Sequence, residues 1–189
     1  MAMVIKIRIP GWLERVIVWP MEVYHSLRLW RNVRVLPLSR GKFAIVEAAD
    51  YEELNKYKWF VQESSGAYYA VCRMGKERVW MHRYLMNAPK DKKVDHRNNR
   101  TLDNRRENLR LASTGENNKN RRKMRGNFSS KYKGVFWNER RKRWFARINV
   151  DGKLIHIGSF KKEKDAARAY DAAAKKYHKV FACVNFPES

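Results

Sequence analysis

Apolar and charged positions alternate at the start of the chain, where Lys6 and Arg8 separate Ile5, Ile7 and Ile9 in the period of a half-buried strand. Trp12, Trp19 and Trp30 follow, as core residues or as a stacking surface, and no motif assigns residues 1–37 a role. Beyond them, a short apolar run from Lys42 to Val46 precedes the acidic stretch Asp50 to Leu54. The runs Lys58 to Val61 and Tyr68 to Val71 flank Ser64, Ser65 and Gly66, which predicts two strands of a small antiparallel sheet. Val79 to Met86 continue the apolar pattern and contain His82. Pro89 and the Lys and Asp residues after it break that pattern before a new unit begins near Val94.

The second half of the chain carries a clearer pattern. Gly134 to Asn138, Trp144 to Val150 and Leu154 to Phe160 are three strand-like runs, and Asp151-Gly152 between the last two is a hairpin signal. A helix is predicted from about Lys162 to Tyr177, with Ala166, Tyr170, Ala173 and Tyr177 on one face. Between the halves, Asn118 to Lys131 is rich in Asn, Lys and Arg and nearly devoid of apolar residues, so it reads as a linker. Such a segment is either a solvated tether or a cationic strip that follows a groove.

Charge narrows the partners. Lys and Arg number 42 against 19 Asp and Glu, a formal net charge of +23, which points to a polyanion: DNA, RNA or anionic lipid. No apolar run approaches the roughly 20 residues that cross a bilayer, so neither a transmembrane helix nor a signal peptide is expected. Cys72 and Cys183 lie far apart without a C-x-x-C pairing, which argues against a disulfide framework or a cysteine zinc site and fits a reducing compartment.

The candidate chemistry lies at Val94-Asp95-His96-Arg97-Asn98-Asn99, where an apolar strand ends in an acid and a histidine. Arg106 to Ala112 then reads as a turn into a second strand, and Ser113-Thr114-Gly115-Glu116 is a capping box that starts a helix. Asn108 lies twelve residues after His96, and Asn117 nine after Asn108. Cleaving a phosphodiester near neutral pH needs a base that deprotonates water and a cation that absorbs charge on the leaving oxygen.

This order and spacing resemble the HNH nucleases, whose strand-strand-helix unit holds a single metal. The resemblance implies His96 as general base, Asn108 as the brace of the loop, and Asp95 with Asn117 as metal ligands. The family often has histidine where this chain has Asn117, so the ligand oxygens suit Mg²⁺ or Mn²⁺ better than Zn²⁺. His82 matches an upstream histidine of the phage-type subfamily, where it is expected to be structural. Asn98, Asn99 and Asn104 read as turn residues.

Ser130 to Val135, Trp144 to Ile148, Ile157 to Phe160, Ala166 to Ala173 and Asn185-Phe186-Pro187 resemble an AP2 domain over about sixty residues. That resemblance implies a three-stranded sheet laid in the DNA major groove with a helix behind it, an arrangement also appended to HNH homing endonucleases. If Ala146, Ile148 and Val150 face the helix, Arg147 and Asn149 face outward; if Ile155 and Ile157 are core, Leu154 and His156 face outward. The family's groove contacts then fall on Lys133, Phe136, Arg147, Asn149, Leu154 and His156, with Lys133 near a phosphate. Several of these differ from the arginine and tryptophan of plant members, so those base preferences do not transfer.

The expected architecture is α+β: a small antiparallel sheet leading into a ββα-metal HNH unit, then a three-stranded sheet plus helix of AP2 type. Residues 1–37 form an N-terminal segment, 38–118 the nuclease, 119–130 the linker and 131–189 the DNA-reading module. The expected function is metal-dependent hydrolysis of duplex DNA in the cytoplasm of a phage or bacterial host. The alternatives are a DNA-binding regulator without nuclease activity and an RNA-binding or ribosomal protein, which shares the charge but not the spacings.

Overall fold

The computed structural model describes residues 32–123 and 126–187; the alternation at Ile5 to Ile9 and Trp12, Trp19 and Trp30 lie outside them. Its architecture is α+β. Strands β1 (Val33–Pro37) and β2 (Phe43–Glu47) form a hairpin, followed by α1 (Ala48–Asn55) over the acidic stretch. An antiparallel meander comes next, β3 (Phe60–Ser64), β4 (Ala67–Met74) and β5 (Glu77–Trp80), continued by the short α2 (Met81–Leu85). Then β6 (Lys93–His96) pairs with β7 (Leu109–Ala112), which leads into α3 (Thr114–Asn120).

One apolar core joins these pieces. Leu36, Val46, Leu54, Trp59, Met81 and Leu109 all belong to it. Leu36 ties β1 to this core: it is 3% exposed and its strand is hydrogen-bonded to β2. Pairing with β2 across a short turn places β1 in the same core.

The second unit is a sheet ordered β10-β9-β8, built from β8 (Val135–Asn138), β9 (Arg143–Val150) and β10 (Lys153–Phe160), with α4 (Glu163–His178) packed against it. Ala166, Ala167, Tyr170 and Ala174 are buried on α4 opposite Val135, Ala146 and Ile148, so small side chains let helix and sheet approach closely. Gly134 marks the limit of that approach. Its φ is +74°, and a β-carbon there would lie 2.0 Å from the Tyr170 ring. Asn185 fastens the end of the chain, donating to the Asp171 carboxylate at 3.0 Å while its Oδ1 accepts from the Lys133 backbone N–H at 2.7 Å.

The basic segment between the units is anchored at several points rather than wholly solvated. Residues 119 and 120 complete α3. Lys123 Nζ donates to the carbonyls of Ser130 and Tyr132 at 2.7 and 2.9 Å, and Arg122 donates to Asn98 O at 3.3 Å. The ion pair Lys119–Asp151, at 3.0 Å, joins α3 to the β9–β10 turn. Among the described residues no helix is long and apolar enough to cross a membrane.

Candidate functional site

Asp95 and His96 end β6, and only 6% and 5% of their surfaces are exposed. The loop that leaves them is held from several sides. Asn108 Oδ1 accepts from Asn98 N at 3.0 Å, its Nδ2 donates to Asp103 O at 2.7 Å, and its carbonyl accepts from Arg97 N at 2.8 Å. Ile45 N donates to Leu102 O, and Asn104 N returns a bond to Ile45 O, so the loop is also tied to β2. Burial pushes Asp103 up, but the Arg105 hydrogen bonds and charge, with Asn98, outweigh it and hold this carboxyl below its usual range. Polar residues that read as turn chemistry thus form an internal scaffold for the end of β6.

His96 sits in an aromatic nest. The His82 ring is 5.1 Å away, edge-on, and Tyr69 lies at 6.3 Å. Burial lowers the His96 pKa, against the opposing influence of the Asn104 hydrogen bond and of Asp95 and Asp103, so the ring is neutral at neutral pH. Its Nε2 faces Asn104 Oδ1 at 3.4 Å; that oxygen only accepts, so Nε2 carries the hydrogen and Nδ1 keeps the basic lone pair. His82 is driven further, to about 3, by burial first and then by the charges of His96 and Arg83, and its Nδ1 has no partner among the described residues.

Asp95 is opposite Arg110 in the β6–β7 register. Arg110 donates to Asp95 Oδ2 from Nε at 2.7 Å and from a terminal nitrogen at 2.6 Å. The partner that α3 supplies is Asn120, whose Nδ2 donates to both Asp95 oxygens, at 2.9 and 3.0 Å, and to His96 O at 3.0 Å. Asn117 lies one turn earlier on the same helix face, half-buried, with its backbone N–H bonded to Ser113 O at 3.0 Å; its side chain is not hydrogen-bonded to Asp95. The capping box that starts this helix is complete, Ser113 accepting from Glu116 N and Glu116 from Ser113 N.

The oxygen-bearing side chains on the end of β6 and on this face of α3 are one carboxylate, Asp95, and two amides, Asn117 and Asn120, of which Asn120 reaches the carboxylate. Among the described residues no cluster of three or more His, Cys, Asp or Glu is placed to hold a metal. Mg²⁺ needs no such cluster, because it binds through one or two carboxylates and retains waters. Cys183 approaches this region, with Asn99 Nδ2 4.0 Å from its sulfur, but burial pushes its thiol up, so it stays protonated. The oxygen chemistry therefore fits a hard cation.

The outer face of the β8–β10 sheet has the opposite character. Arg147, Asn149, Leu154 and His156 are exposed while Ala146 and Ile148 are buried. Arg147 lies over the Phe136 ring at 4.6 Å, and Phe145 bridges Phe136 at 5.7 Å and His156 at 5.0 Å. Asn149 Oδ1 accepts from Gly152 N and closes the hairpin turn. Lys133, expected near a phosphate, has its ammonium turned back to the end of α3, donating to Lys119 O and Arg121 O at 2.7 and 2.6 Å. Those are carbonyls at the C-terminal end of α3, where a cation is favoured, and burial lowers this lysine's pKa.

Three neighbours of the site escaped the sequence reading. Phe145 shares strand parity with Arg147, so alternation alone places it outward. Asn120 is three residues beyond Asn117, one helical step on the same face. Arg110 could be found only by aligning β7 against β6.

Comparison with known proteins follows the same division. Residues 80–119 match the HNH endonuclease family and residues 130–179 match the AP2 domain family. A protein of Acanthamoeba polyphaga mimivirus, described as an uncharacterized HNH endonuclease, is 29% identical over 161 residues, covering 80% of this chain and 79% of that one. An AP2-like ethylene-responsive transcription factor of Arabidopsis thaliana is 43% identical over 58 residues, 31% of this chain but 12% of that protein. APETALA2-like protein 2 of Oryza sativa subsp. japonica shows the same identity, over 31% of this chain and 13% of its own length. The chain thus spans only a small part of the plant proteins, whereas the viral likeness runs through most of it.

Proposed function

From a chain that carries an HNH endonuclease domain and an AP2 domain, we propose a homing-type endonuclease that is placed on duplex DNA by the AP2 sheet and hydrolyses phosphodiesters at the HNH strand end. One observation carries this reading: a neutral, buried His96 stands beside Asp95 in a fully braced loop, while the same chain presents an exposed face of Arg147, Asn149 and aromatic rings.

Asp95 and Asn117 would hold Mg²⁺ or Mn²⁺, with Asn120 orienting the carboxylate. The ion, when bound, supplies a positive charge for the phosphate and the departing oxygen. His96 takes a proton from water through Nδ1; the water oxygen forms a bond to phosphorus as the bond to the 3′ oxygen breaks, leaving 5′-phosphate and 3′-hydroxyl ends. Asn104 holds the His96 ring, and Asn108 keeps the loop from shifting it. On the sheet, Arg147 is suited to bidentate contact with guanine and Asn149, its oxygen bonded to Gly152, to a single contact through its amide nitrogen, while Phe136, Leu154 and His156 complete the contact surface.

Supercoiled plasmid containing a selected binding site, incubated with Mg²⁺, Mn²⁺ or a chelator, tests the proposal. Metal-dependent nicking or linearisation is expected, and His96→Ala should slow it by about 10² to 10⁴ with DNA binding retained. Unchanged cutting by a folded His96→Ala protein overturns the base assignment. Tight duplex binding without cutting under either ion overturns the nuclease and leaves a DNA-binding regulator.

A further inference from the structure

Arg110 does more than neutralise Asp95. Two of its nitrogens are spent on a single carboxylate oxygen, Oδ2. The third donates to the carbonyl of Val180 at 2.5 Å, and the guanidinium plane lies 3.9 Å from the centre of the Phe181 ring. Val180 and Phe181 belong to the turn that ends α4, in the AP2 unit, far from β7 in sequence. One buried side chain, 8% exposed, therefore touches the acid of the cutting site on one side and the DNA-reading domain on the other. Only a planar fork with donors on three nitrogens meets all these partners at once; an ammonium on a flexible stem does not.

We infer that Arg110 is a positioning residue for Asp95, held in its pose by Val180 and Phe181, so that seating of the AP2 domain sets how well the nuclease site binds its ion. Arg110 on Oδ2, together with the Asn120 amide across both oxygens, fixes the plane of the carboxylate and hence the direction in which Oδ1 is presented. Loss of the Phe181 ring removes the surface on which the guanidinium rests, and the carboxylate loses one of its two supports, Asn120 being the other, although no residue of the nuclease unit has changed. The inference rests on the reading of Asp95 as an ion ligand.

The test measures Mn²⁺ binding to the full chain without DNA, by the loss of the free-ion paramagnetic resonance signal, for Asp95→Asn, Arg110→Lys, Phe181→Leu and Phe181→Tyr. Thermal unfolding of each variant accompanies it. Asp95→Asn should abolish binding. Arg110→Lys and Phe181→Leu should weaken it by about 10- to 100-fold, the usual cost of disturbing a group that orients a ligand. Phe181→Tyr, which keeps the ring, should restore it, and the DNA affinity of Phe181→Leu should equal that of the unsubstituted protein. If Asp95→Asn still binds Mn²⁺, the ligand reading fails. If Asp95→Asn loses the ion while Arg110→Lys and Phe181→Leu, folded, bind it normally, the ligand reading stands and the coupling through Arg110 is overturned.

Discussion

The nuclease unit and the AP2 sheet use polar groups in opposite ways. Around Asp95 and His96 the carboxylate oxygens and the amide of Asn108 already have protein partners, and the groups lie almost wholly out of solvent. On the sheet, Arg147 and Leu154 stand in water with rings between them. The proposed chemistry at a phosphorus atom tolerates little misplacement, and groups fixed before substrate arrives suit it. Reading base edges needs groups whose hydrogen bonds are still unmade, because a donor satisfied within the protein has nothing to exchange.

Acid should separate the two regions most, although burial also lowers His178 on α4. His82 and His96 have folded-state pKa values below 6.5, His82 at about 3, whereas the unfolded chain takes up protons near 6.5. The nuclease unit therefore has its full stability above about pH 6.5 and loses it progressively as pH falls from there toward 3, by an amount on the order of a few kcal/mol. Urea unfolding at pH 7.5 and pH 5 should show this loss, and His82→Phe should reduce it. Equal midpoints at both pH values would remove the buried histidines from the account.

Next in size, Arg147→Ala should weaken duplex binding by about 1–3 kcal/mol while the cutting rate at saturating protein stays unchanged. A fall in that rate with affinity preserved would reverse the division of labour between the regions. The smallest effect sharpens the comparison at α3: Ser113→Ala should cost about 1 kcal/mol of stability through loss of the cap, measured by thermal unfolding. No change there would mean that packing, rather than the capping box, holds the start of the helix that carries Asn117 and Asn120.

Local signals were legible where neighbours in sequence are neighbours in space. Asp151-Gly152 turns β9 into β10, alternation along β9 sorts Ala146 and Ile148 from Arg147 and Asn149, and Ser113 with Glu116 starts α3. What escaped depends on elements meeting from afar. The pairing of Val33–Pro37 with Phe43–Glu47 needs two strands to meet across a turn, the pairing of Arg110 with Asp95 needs a strand register, and the pull of the α3 carbonyls on Lys133 needs two domains in place. Asn117 and Asn120 show a finer limit: composition marks both, but helix phase and depth decide which one reaches the acid.

The inward turn of Lys133 and Lys123 bears on how the protein responds to salt. Each cation that neutralises a DNA phosphate displaces condensed counterions and adds about 0.9 to the steepness of log affinity against log salt. Lys123, Lys133 and Arg110 are engaged with carbonyls and a carboxylate inside the fold, and Arg105 and Arg106 with Asp103 and Asp50. Part of the +23 formal charge is thus committed to joining and bracing the two domains, and counterion displacement on DNA is left to the cations that face outward.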